Sequence, residues 1–140
     1  MISQITRRIF IGEQNDALNA EALQSHEINC VINLREKSVP EEKTLLRKLG
    51  IHYEHVPIPR EGTKSMVAFK KSLGLATVIL DEMLDDDQQH KVLVHCEAGI
   101  DRAPFVVALW LFSVGDLELS QAYAIIKQRR KHIMEHYEWL

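Results

Sequence analysis

In the stretch KVLVHCEAGIDR, residues 91–102, an apolar run delivers a thiol, Cys96, and five residues later a guanidinium, Arg102. A loop of that length can turn successive backbone amides into one concavity, where they and the guanidinium would surround a phosphate with the cysteine sulfur beneath it. The chemistry such a site supports is nucleophilic. Sulfur attacks phosphorus, a phosphocysteine forms, and water releases it. The amides of Glu97, Ala98, Gly99, Ile100, Asp101 and Arg102 are the expected phosphate ligands, with Cys96 as nucleophile. Arg102 can hold two nonbridging oxygens through its planar fork, a geometry lysine lacks. Gly99 is the expected point of tight curvature or positive φ, its missing side chain leaving room for an oxygen. His95 is expected to brace the loop by hydrogen bonding rather than to pass a proton to substrate.

A cysteine and an arginine at this spacing are also compatible with a core thiol and a surface charge, so the flanking elements decide. Val92–Val94 is apolar in succession, as in a strand covered on both faces, and is expected to be central. Residues 103–114, APFVVALWLFSV, are apolar nearly all round and predict a helix buried against the sheet, with Pro104 tolerated in its first turn. The amides at the start of that helix, and the positive end of its dipole, favour both a bound phosphate and a thiolate. Upstream, Arg8–Gly12 and Cys30–Leu34 predict strands, and residues 16–27 a helix with Leu18, Ala22 and Leu23 turned inward. Residues 41–50 predict a helix closed by Gly50, and Ile51–Ile58 the next strand. Met66, Phe69, Leu73, Ala76, Ile79, Leu80 and Leu84 recur at helical spacing over residues 65–84. Residues 119–133 predict a closing amphipathic helix. The sum is a three-layer α/β domain, a central sheet flanked by helices.

Composition agrees. The 140 residues are 46% apolar and 26% charged, which fits one folded domain over residues 1–140 with a core large enough to need no metal or disulfide. Lys and Arg number 17 against 20 Asp and Glu, a formal charge of -3, so no nucleic-acid partner is expected. RKHIMEH, residues 130–136, is the nearest thing to a basic run and is assigned to a solvated surface. No apolar segment is long enough for a membrane helix and no leader is evident, so a cytoplasmic protein without a membrane partner is expected. Cys30 is assigned to the core, and Cys96 must stay reduced for the proposed chemistry.

The chain resembles the cysteine-dependent protein tyrosine phosphatase superfamily, and within it the compact dual-specificity group, whose signature is His-Cys, five residues and Arg. The resemblance runs through nearly the whole chain and in the family's order: RIFIG, INCVINL, IHYEHVPI, VLVHCEAGIDRAP and AYAIIKQRR. It implies a metal-independent and cofactor-independent phosphomonoester hydrolase acting on phosphotyrosine and, in a shallow pocket, phosphoserine or phosphothreonine, with a phosphorylated protein or small phosphomonoester as partner. It assigns Cys96 as nucleophile, Arg102 as phosphate clamp, and His95 and Gly99 to the loop.

Two positions depart from the family pattern. After the arginine the family usually has Ser or Thr, whose hydroxyl helps the thiolate leave, and here the residue is Ala103; the RAP sequence is similar to that of plant glucan phosphatases. After YEHVPI the family usually has the general-acid Asp, and here Arg60 stands near that site with Glu61 beside it. Glu61 is the first candidate acid and Asp101 the second, since GIDR resembles the GKDR-type loops of bacterial tyrosine and lipid phosphatases. Glu97 and Asp101 make the loop less positive than a polyanion site would be, although Arg35, Arg60 and Lys64 are candidate contributors of charge. NLREKS is similar to atypical phosphatases of inositol phosphates. Phosphatases of inositol phosphate or phosphoglucan, and a catalytically weak phosphate-binding module, are therefore the alternatives.

Overall fold

The computed structural model describes residues 1–60, 62–85 and 89–140. A five-stranded sheet is built from β1 (Ser3–Gln4), β2 (Ile9–Gly12), β3 (Cys30–Asn33), β4 (His52–His55) and β5 (Val92–His95), in the order β1-β2-β5-β3-β4. All neighbours are parallel except β1, which pairs antiparallel with β2. The strand that enters the phosphate loop thus lies at the centre of the sheet.

Alternation along the strands sorts side chains to two cores. Ile9, Ile11, Cys30, Ile32, Val92 and Val94 join the larger core with α3 (Met66–Leu84), α4 (Arg102–Gly115) and α5 (Leu119–Arg129), while Phe10, Val31 and Leu93 face the smaller core. That second face is covered by a 3-10 turn (Gln14–Leu18), α1 (Ala20–Ser25) and α2 (Pro40–Lys48). The three-layer arrangement is the one expected, with Cys30 a buried core thiol.

The differences from expectation are local. The single helix expected over residues 16–27 is split, because the Asn19 side chain accepts the Ala22 amide and caps a new helix, and Asp16 closes a capping box with Glu13. Strand β4 ends at His55, although Val56 and Ile58 stay buried and their amides still donate to Asn33 O and Leu34 O, with Pro57 and Pro59 at positions that turn off the sheet edge and need no amide. Met66, expected on the inner face of α3, is 42% exposed. Helix α5 ends at Arg129; Arg130 turns extended, and Ile133 packs into the core from the following tail. The short β1 was not foreseen.

Candidate active site

The parallel register puts the C-terminal ends of β2, β5 and β3 side by side, Gly12 opposite His95 and His95 opposite Asn33. The loop from Cys96 to Asp101 rises there and runs into the first turn of α4. Its backbone is divided by function. The carbonyls of Glu97, Ala98, Gly99, Ile100 and Asp101 each accept a hydrogen bond, from the Gln14 amide, Arg130 Nη2, Arg130 Nε, the Met134 amide and the Phe105 amide respectively. Among the described residues, the amides of Glu97 through Arg102 have no protein acceptor. Backbone amides are strong donors, so a row of six left open beside Cys96, itself 2% exposed, is a cradle for a ligand rich in acceptor oxygens.

Arg102 is aimed by backbone. Its Nη1 donates to Ile58 O at 2.7 Å and Leu34 O at 3.4 Å, carbonyls that follow β4 and β3. Nε and Nη2 have no protein acceptor among the described residues, which leaves that edge of the fork for phosphate oxygens. Asp101 stands at the N-cap of α4, yet its carboxylate caps no amide of that helix. It accepts instead from His136 Nε2 at 2.7 Å, so the first-turn amides remain open to an anion.

Gly99 has φ +69°, the left-handed conformation its residue type allows, but the space it leaves is not for substrate. A Cβ there would lie 2.5 Å from Arg130 Nη2 and 2.7 Å from Gly12 O. The close approach serves Arg130, whose guanidinium also donates to Met1 O and Ser3 Oγ and so staples the underside of the loop to the first strand. RKHIMEH is therefore no simple solvated run, since its first residue is spent on the phosphate loop.

His95 is fully buried, with Nε2 2.8 Å from Glu42 Oε2 and Nδ1 3.1 Å from Cys96 O. Glu42 also accepts from Gln14 Nε2, Gln14 Oε1 accepts from Arg35 Nη1, and Arg35 Nε donates to Glu97. A continuous polar chain thus runs from behind the nucleophile to the lip of the loop, and it pairs the Glu97 charge that was expected to make the loop less positive.

Cys96 and Arg102 open into a cavity of about 400 Å³ lined also by Arg60, Phe69, Ile100, Asp101, His136 and Trp139. Beside it a second hollow of about 460 Å³ shares Arg60, Glu97 and Arg102 and adds Arg35, Glu36, Lys37 and Thr63. Of the three candidate surface cations, Arg35 and Arg60 therefore reach the mouth, whereas Lys64 lines neither hollow; Lys37 was not foreseen. Ala103 is fully buried in the first turn of α4. Glu61 lies outside the described residues. No group of three or more metal-ligating side chains occurs among the described residues, and no helix among them is long and apolar enough to cross a membrane.

Glu42, Arg130, His136 and Trp139 escaped the sequence reading. Trp139 stacks on His136 at 3.7 Å and meets Phe69 and Phe105 edge-on at 5.0 and 5.4 Å, which fixes the tail over α3 and α4 beside the cavity. Its single available signal was an apolar aromatic residue six positions after the last buried isoleucine.

Residues 9–140 match the model of the dual specificity phosphatase catalytic domain. The chain is 28% identical over 138 residues to human dual specificity protein phosphatase 9, which covers 98% of this chain and 34% of that protein. It is 26% identical over 141 residues to the Caenorhabditis elegans tyrosine-protein phosphatase vhp-1, covering 99% of this chain and 20% of that one. The chain thus spans about a third of the length of one of these relatives and a fifth of the other. In fold it is similar to the Cydia pomonella PTP-2 phosphatase, with a TM-score of 0.82 at 17% identity over 99% of this chain and 84% of that one.

Proposed function

We propose a function from one premise, that this chain belongs to the dual specificity phosphatase catalytic-domain family. It hydrolyses phosphomonoesters through a phosphocysteine at Cys96, with phosphotyrosine as the preferred substrate and phosphoserine or phosphothreonine as slower ones. The row of unpaired amides around a buried sulfur carries this reading. The phosphoryl oxygens take those amides and the free edge of Arg102, which follows them as phosphorus moves from the ester oxygen to sulfur. His95 and Ala103 touch no substrate atom; the one braces the loop through Glu42, and the other leaves thiolate departure without a hydroxyl donor. The apolar walls, Phe69, Ile100 and Trp139, and the depth of Cys96 favour an aryl ester whose ring spans the distance to the mouth.

The neighbouring hollow with Arg35, Lys37 and Arg60 supports a second reading, a small substrate with several phosphates such as an inositol phosphate. Phosphate release from phosphotyrosyl and phosphoseryl peptides, inositol phosphates, phosphoglucan and a generic aryl phosphate, each compared with Cys96→Ser, separates them. The phosphotyrosyl peptide is expected to have the highest kcat/KM. A higher value for an inositol phosphate selects the second reading, and tight phosphopeptide binding without turnover even at mildly acidic pH would make the domain a binding module.

A further inference from the structure

Glu61, the first candidate acid, lies outside the described residues, and the wall of the cavity holds a further proton donor among those described. His136 lines the same cavity as Cys96 and Arg102. Its ring is 14% exposed, lies flat on Trp139 with planes 1° apart, and is gripped by a carboxylate at each nitrogen: Asp101 Oδ1 at 2.7 Å from Nε2 and Glu138 Oε1 at 2.7 Å from Nδ1. Two acceptors on one ring call for a proton on each nitrogen, which makes the side chain an imidazolium. Asp101 is 43% exposed into the cavity and is not consumed as a helix cap, so its function at that position is to face His136.

We propose that His136 is the general acid of the reaction, with Asp101 and Glu138 as positioning residues. This rests on the phosphocysteine reading. As the Cys96 thiolate bonds to phosphorus and the phosphorus–oxygen bond breaks, the electron pair stays on the leaving oxygen, which takes the Nε2 proton in place of Asp101. The neutral ring keeps its Nδ1 proton on Glu138. In the second step water attacks phosphorus, its proton returns to Nε2, and the sulfur leaves as thiolate, so the imidazolium is restored and inorganic phosphate is released. Until a leaving oxygen bears charge, the imidazolium also offsets the Asp101 carboxylate, which would otherwise repel a phosphate dianion.

The charges around the ring favour its acid form over the working range. Burial alone would lower the His136 pKa, but the hydrogen bonds and charges of Asp101 and Glu138 outweigh it and hold the ring above its ordinary value of 6.5. From α5, the Tyr123 hydroxyl accepts the His136 amide while its ring meets that of Tyr137 edge-on, and Lys127 pairs with Glu135; Arg60, Arg102 and Cys96 line the same cavity as the ring. An acid with a raised value is active below it and is lost as pH climbs through it, so His136 sets the basic limb of kcat/KM.

The test compares leaving groups. His136→Asn is expected to lower kcat/KM for phenyl or alkyl phosphate by about 10²-fold or more, to change dinitrophenyl phosphate little, and to abolish the basic limb. Glu138→Gln should keep activity at low pH and move that limb to lower pH, a shift a structural role would not produce. Competitive inhibition by inorganic phosphate, retained in both variants although weaker in His136→Asn, where Asp101 loses its counter-charge, checks that the loop is folded. An equal loss across leaving groups with the basic limb intact would overturn the proposal, as would Glu61→Gln reproducing the leaving-group pattern while His136→Asn does not. Undiminished turnover by Cys96→Ser would instead remove the phosphocysteine reading itself.

Discussion

His95 and Glu42 lie 2.8 Å apart behind the phosphate loop with both side chains wholly excluded from solvent, whereas His136 and Asp101, 2.7 Å apart on its open side, are 14% and 43% exposed. The chemistry of the two pairs is the same and their surroundings are opposite. Behind the loop, His95 lines no part of the cavity, and both its nitrogens are committed to Glu42 and to the Cys96 carbonyl. That pair can only hold the nucleophile's backbone in place. The open pair adjoins the reacting atoms, so the same hydrogen bond there stores a transferable proton. Burial, rather than residue type, divides the bracing histidine from the acid.

The largest expected effect comes from breaking the buried pair. Glu42→Ala would leave His95 and Gln14 facing an emptied, dry site and is expected to cost about 3–5 kcal/mol of stability, read from urea unfolding. Activity lost with it should fall equally across leaving groups, in contrast to the selective loss expected of His136→Asn. A Glu42→Ala protein of near normal stability would mean that the pair does not brace the loop.

These two pairs also mark the boundary of what the sequence makes legible. HCEAGIDRAP could be recognised because nucleophile, amides and clamp are contiguous, and the flanking apolar runs dictate a central strand and a buried helix whatever else the chain does. Glu42 sits in PEEKTLLRK, where four acidic or basic neighbours look like a solvated helix face, and its partner is 53 residues away. His136 meets Asp101 across 35 residues, from a tail with no periodicity to betray its direction. Local pattern reports which face of an element is apolar. It carries no record of which polar group a distant element will deliver, and Arg130 shows the same limit, since its run looks like an ordinary basic surface until the Gly99 carbonyl is found 2.8 Å from its Nε.

A smaller effect sharpens the comparison on the side of phosphocysteine breakdown. With Ala103 fully buried and offering no hydroxyl to the sulfur, the second step is expected to be slower than the first. Rapid-quench kinetics with dinitrophenyl phosphate should show a burst, and Ala103→Ser should raise the steady rate a few-fold while shrinking the burst. A linear early time course in the unmodified chain would place the slow step at phosphoryl transfer to sulfur.

Everything above depends on phosphorus passing through sulfur, and acid-quenched intermediate tests that most directly. Enzyme mixed with excess dinitrophenyl phosphate, stopped in acid during the burst and mapped by mass spectrometry, should carry one phosphoryl group on the peptide that contains Cys96, in an amount equal to the burst and absent from Cys96→Ser. Product released in a full burst with no phosphoryl group on Cys96 would contradict the account.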